Sequence, residues 1–405
     1  MPVILRLLKY IILALVLWGL PSFFLAYFNA AIGSALSELT FVVLGLFYLL
    51  CREKGTLLLA FLSLGLSYFI IAGFNYSGNL SGMDYYTMVI KYLLVIIAGA
   101  EVLRKTSMSE VYYFLMIGSL SIIIHTLFFP LHNASFGPTY GRFSGFYLNP
   151  NYGGAISLIG FALTFGVKEK RLRYLGFFIF TLGGVFTFSR YFLGMWVVLN
   201  ILSVFVNRKN LVFPVVGIMF LLIIFAFGSS LQVNTERFNA IGSIFSGEET
   251  QVDVLQENSR TETWASYTDV ILNEPIFGNG FKKMQGNHFG LFAGVHNTYL
   301  LVIGEAGVLP FIILVGIYCF MLKVGYQRFK TNPHQSMLAL VLFTALLVTH
   351  NYFDRFSLLF VSMYLYLSFT EPKSFSDSLE SGSDFVQEDF GVVKNHSLFK
   401  AQKPG

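Results

Sequence analysis

Residues 211–228 read LVFPVVGIMFLLIIFAFG and contain no charged side chain. A helix rises about 1.5 Å per residue, and a bilayer core of about 30 Å takes roughly 20 residues to cross. This run therefore reads as a membrane helix. Similar runs recur on both sides of it. Twelve are expected, at roughly 4–20, 32–50, 56–73, 86–103, 111–129, 151–167, 173–187, 191–206, 211–228, 297–322, 336–350 and 355–370. The bulk composition agrees. Of 405 residues, 55% are hydrophobic and 12% charged, against about 25% charged in soluble domains. Mean hydropathy is +0.66. A membrane β-barrel would instead alternate along segments of about ten residues. The expected fold is an all-α polytopic membrane protein of about 12 transmembrane helices. One large outer loop, 229–296, carries short surface helices, and residues 371–405 form a disordered inner tail.

Charge sets the orientation. With the N-terminus inside, the inner connections and the two ends hold 19 of the 27 Lys and Arg residues, as the positive-inside rule requires. The net charge of +5 is loop charge of this kind, not a nucleic-acid patch. The N-terminus, with Arg6 and Lys9 ahead of an apolar run to Leu20, is expected to be an uncleaved first helix. The two cysteines, Cys51 and Cys319, fall at inner ends of spans, so no disulfide is expected.

Eight basic residues break the bias: Lys91, Arg142, Arg190, Arg237, Arg260, Lys282, Lys283 and Arg355. Lys91 lies inside a span, either snorkelling outward or serving a function. Asn149-Pro150 is an N-cap followed by an N1 proline and explains itself as a helix start. Arg142 beside it gains nothing from the helix dipole and makes sense facing an anion. Arg190, in Thr-Phe-Ser-Arg, suits a phosphate clamp, since a guanidinium binds phosphate oxygens bidentately. Arg260 opens a helix through Trp264, where Glu262 could pair with it. Arg260–Leu272 and Gln232–Phe245 are expected to be half-polar helices along the membrane surface. His296, at the outer start of the tenth span, is kept neutral by the helix dipole and is able to accept a proton. His350 at the end of the eleventh span competes for that role. Glu305, nine positions after His296, is half a turn out of phase with it.

No nucleotide loop, nucleophile elbow or carboxylate pair with metal-ligand spacing is present. Any energy for synthesis on an outer face, where no nucleotides are held, would have to arrive with an activated, lipid-linked substrate.

The segments Gly141-Arg142-Phe143-Ser144-Gly145, Asn149-Pro150-Asn151, Ser189-Arg190, Arg260 to Trp264, Pro275, Gly278-x-Gly280, His296-Asn297-x-x-Leu300 and Glu305-x-Gly307 run in this order through residues 140–310. The set resembles the bacterial O-antigen ligase and O-antigen polymerase family of membrane glycosyltransferases, with a GT-C-like fold. One departure is Tyr191, where a small residue would follow Ser189-Arg190. The resemblance implies an inverting, metal-independent glycosyl transfer without a cofactor, on the periplasmic face of a bacterial inner membrane. The donor would be an undecaprenyl-diphosphate-linked oligosaccharide and the acceptor a glycan or lipid A-core. Arg190 and Arg260 would hold the donor diphosphate and His296 would activate the acceptor hydroxyl. Arg142, Asn149, Asn151, Trp264, Asn297 and Glu305 would have supporting or acceptor-side roles. Polymerase is favoured over ligase, and a flippase for lipid-linked sugar is the alternative of another class.

Overall fold

The computed structural model describes residues 1–74, 76, 82–132, 141–227, 260–291 and 293–371, with the backbone course alone at 82–83, 220–227 and 260–261. The expected helix Gln232–Phe245, residue Arg237 and the tail beyond 371 lie outside the described residues. Among the described residues, helix occupies part of each apolar run. The helices are α1 Val3–Leu17, α2 Leu20–Tyr27, α3 Ala30–Leu50, α4 Leu59–Phe74, α5 Gly82–Arg104, α6 Met108–Phe128, α7 Pro150–Thr164, α8 Lys170–Phe186, α9 Arg190–Val206 and α10 Val212–Phe227. There follow α11 Arg260–Ser266, α12 Thr268–Asn273, α13 Thr298–Ala306, α14 Val308–Gln327, α15 Pro333–Ala345 and α16 Phe356–Thr370. Among the described residues, four helices are long and apolar enough to cross a membrane, or five if the bent pair α1–α2 counts as one span.

The structure revises four expectations. The first span does not end in a loop. Gly19 turns the chain at φ 64, Pro21 restarts it, and α2 leaves at 57° to α1. Proline suits a first helical turn because its missing N–H has no partner there anyway. Second, the tenth span is two helices, broken at Gly307 with φ 76 and ψ −165. That region of backbone space is open to glycine alone. A Cβ at Gly307 would also stand 1.9 Å from the Ile276 carbonyl oxygen. Third, α15 stops at Ala345, not at 350, and residues 346–355 form an irregular connection instead of a tight turn. Two carbonyls of this connection are taken by α13: Thr298 N–H donates to Leu346 O at 2.7 Å, and Thr298 Oγ1 to Thr349 O at 2.8 Å. Fourth, Arg260–Leu272 is two short helices parted at the buried Tyr267.

The surface segment 274–284 wraps around α13. Asn279 N–H donates to Gly304 O at 2.7 Å and Gly280 N–H to Glu305 O at 3.0 Å. Gly278 allows this approach, because a Cβ there would meet the Glu305–Ala306 backbone at 2.5 Å. Beneath it lies an aromatic core, with Tyr68 of α4 stacked on Phe353 at 3.9 Å between ring centroids. At the other end of the bundle, Arg104 pairs with Glu101 of its own helix at 2.5 Å and ties α5 to Glu371, just past α16, at 2.8 Å. Cys51 and Cys319 are both free thiols.

Candidate active site

Three tiers of contacts set the site. The first is a brace under Arg190. Arg142 is 2% exposed. Its Nε donates to Thr187 O at 3.0 Å and its Nη2 to Asn151 Oδ1 at 2.9 Å. The Ser189 hydroxyl donates to the same Asn151 oxygen at 3.1 Å. Asn149 caps α7 by accepting from Asn151 N–H at 2.9 Å and Tyr152 N–H at 3.3 Å. Arg142 thus holds the short α8–α9 turn. Phe188 in that turn sits at φ 47.

Arg190 follows as the first residue of α9 and is exposed. Among the described residues its guanidinium has no hydrogen-bond or ion-pair partner. A cation at a helix N-terminus is disfavoured by the dipole, so α9 itself does not stabilise this placement. Tyr191 has a physical reason to be large. Its hydroxyl reaches α15 at Val341 O, 2.9 Å, and Thr344 Oγ1, 3.0 Å.

The second tier is the start of α13. Asn297 caps that helix, accepting from Tyr299 N–H at 3.0 Å and Leu300 N–H at 3.3 Å. Tyr299 Oη donates to Phe343 O at 3.0 Å. Tyr191 and Tyr299 therefore grip the same C-terminal end of α15, from the Arg190 side and the His296 side. His296 precedes the cap at φ 48, a left-handed conformation uncommon for a side-chain-bearing residue. Its ring meets His350 edge to face, with 4.3 Å between centroids. The two histidines that compete in the sequence are neighbours in space. Burial first, then the proximity of His296 and Arg355, pushes His350 down to about 3, so it stays neutral at ordinary pH.

The third tier is the rest of the 346–355 connection. Arg355 Nη1 donates to Tyr147 O at 3.2 Å, and its guanidinium lies 5.5 Å from the Tyr152 ring centre. Burial raises the Asp354 carboxyl, while Lys282 and Arg355 pull it back down.

The other sequence candidates have surroundings of their own. Glu305 is fully buried. It accepts from the Tyr68 hydroxyl and, at 3.0 Å, from Met284 N–H, so it anchors the wrapping segment. Trp264 packs against the core with its indole N–H buried and unpartnered among the described residues. Arg260 opens α11, and its side chain lies outside the description. Lys91 donates to Ser37 Oγ at 3.2 Å and sits 5.0 Å over the Phe41 ring. Among the described residues, no three His, Cys, Asp or Glu side chains are grouped to hold a metal ion.

These features define an all-helical membrane protein with an arginine-bearing turn and a histidine pair braced against one helix end. Residues 175–315 match the family described as O-antigen ligase, which supports an O-antigen ligase/polymerase family assignment and a role in polysaccharide assembly. The matched segment holds Arg190, Arg260, Trp264, His296, Asn297 and Glu305. It excludes Arg142, Asn149, Asn151 and the whole 346–355 connection. No curated protein matches the chain.

Proposed function

We propose that the protein is a multi-pass inner-membrane glycosyltransferase with its site on the periplasmic face and both termini in the cytoplasm. It transfers a glycan from an undecaprenyl-diphosphate-linked donor to a sugar hydroxyl, as a polymerase of lipid-linked repeat units. The observation that carries this reading is the joint bracing of the Arg190 turn and the His296–His350 pair on the outer end of α15.

In the step itself, His296 removes the proton from the acceptor hydroxyl. The acceptor oxygen bonds to the donor's anomeric carbon as that carbon's bond to the diphosphate breaks, with inversion. The electron pair leaves on the diphosphate, where Arg190 and Arg260 neutralise the developing charge. The imidazolium then gives its proton to solvent. His350, kept neutral by burial, puts no second positive charge beside the base. Arg142, Asn149, Asn151, Asn297 and Glu305 act as positioning residues in this scheme, and no metal is required.

Incubation of the purified protein with undecaprenyl-diphosphate oligosaccharide tests the reading. A product ladder without lipid A-core means polymerase, and transfer to added core alone means ligase. No transfer in either arm, or transfer lost in EDTA, overturns the mechanism. One observation favours the flippase alternative. The helix broken at Gly307 resembles the discontinuous helices at transporter binding sites. Transbilayer movement of a fluorescent lipid-linked sugar in liposomes, unaffected by His296→Ala, would decide for it.

A further inference from the structure

A cleft of about 120 Å³ opens between the α1–α2 bend, α3 and the start of α16, and it is lined by Arg355, whose charge acts on His350. Two of its walls belong to segments already placed at the site. Tyr147 and Tyr152 come from the strip that leads into α7, and Asp354, Arg355 and Ser357 from the end of the 346–355 connection and the start of α16. The third wall is α3, with Ser37, Thr40 and Phe41. Lys91 stands behind Ser37, its ammonium donating to that hydroxyl at 3.2 Å.

The lining is chemically mixed. A carboxylate, a guanidinium and several hydroxyls share a small space with the rings of Phe41, Phe146 and Tyr152. Such a set accepts and donates hydrogen bonds to vicinal hydroxyls while covering an apolar sugar face. It does not suit a free diphosphate, since Asp354 would repel it. Nor does it suit a bare lipid chain, because burying Asp354 and Arg355 against hydrocarbon is costly. The Arg355 guanidinium is held over Tyr152 and by Tyr147 O, so its orientation is set before any ligand arrives. Asp354 is four residues from His350 on one irregular connection.

We infer that this cleft is the acceptor subsite, and that Asp354, Arg355 and Ser37 bind the terminal sugar of a lipid-borne glycan whose hydroxyl is presented to His296. The inference rests on the transferase reading above. A donor held by Arg190 and an acceptor held by Asp354 would flank the histidine pair from its two sides. The bend between α1 and α2, 57°, places Val16, Gly19, Pro21 and Ser22 along a further side of the cleft.

Native mass spectrometry of the full chain in detergent tests it, in a His296→Ala background that prevents turnover. One arm adds undecaprenyl-diphosphate oligosaccharide alone, and a second adds lipid A-core as well. His296→Ala is expected to hold two lipid-borne glycans. These are two donor-type lipids if the acceptor is a second repeat unit, or one donor-type lipid and one core if it is core. Adding Ser37→Trp, which fills the cleft, is expected to leave one. Adding Asp354→Asn is expected to weaken the second binding at least tenfold without touching the first. Occupancy that neither variant changes overturns the acceptor subsite while leaving the transferase reading standing. Binding of no lipid-borne glycan by His296→Ala overturns both.

Discussion

His296 is held in a left-handed backbone conformation that costs a side-chain-bearing residue about 1–3 kcal/mol. Glycine adopts it freely. His296→Gly is therefore expected to abolish transfer, by roughly 10²–10⁴-fold in kcat for a lost general base. It should leave thermal stability unchanged or raise it by about 1 kcal/mol. A variant that loses activity together with stability would count against the role. His350 gives a second check. Its folded value near 3 lies below the ordinary histidine range, so the unfolded chain takes up a proton that the folded chain refuses. That contribution is fully present above about pH 6.5 and is lost as pH falls towards 3. His350→Gln should flatten the fall in thermal stability between those limits by up to about one proton's worth of slope. Arg190→Ala should raise the donor KM roughly 10–150-fold, the range for a lost charged hydrogen bond. Arg190→Lys should recover only part, because an ammonium cannot bind bidentately. Of these residues, His296 and Arg190 stand out in the sequence because they lie on the wrong side of the charge bias or at a helix start. The neighbourhood of His350 does not, since 54 positions separate it from His296 and only the fold brings them together.

At the scale of elements, the helices were legible because long apolar runs leave few alternatives. Their interruptions were not. The run from Leu300 to Leu322 stays apolar across Gly307 apart from Glu305, and the reason for the break is the Ile276 carbonyl some thirty residues earlier. Gly307→Ala should accordingly destabilise the protein by more than the ordinary helix preference would suggest. The loss expected is about 1–3 kcal/mol or more, read as a lowered thermal midpoint. Arg142 was legible as a misplaced cation but not as a brace, because its partners Thr187 and Asn151 are set by helix packing. Tyr191, a departure from a small residue in the sequence, is the strut that ties α9 to α15. Tyr191→Phe removes two hydrogen bonds and keeps the ring. It should lower transfer and weaken donor binding together, because the Arg190 turn and the histidine pair lose their shared support.

Across the whole molecule, the histidine pair and Arg190 depend on α15 as a common footing, while the longest apolar helix beside them carries neither. The break at Gly307 separates two duties that a continuous helix would join. Of the tenth apolar run, α14 alone has the length to match the hydrocarbon core, and α13 carries the chain on from His296. Long helices answer a thicker or thinner bilayer by tilting. With a glycine joint between them, tilt in α14 need not swing α13, which is pinned at its start by Tyr299 to α15 and by Thr298 to the connection that follows α15. The site is thus insulated from hydrophobic mismatch. Transfer rates in proteoliposomes of short and long acyl chains should stay close in the native protein and diverge when Gly307 is replaced by alanine.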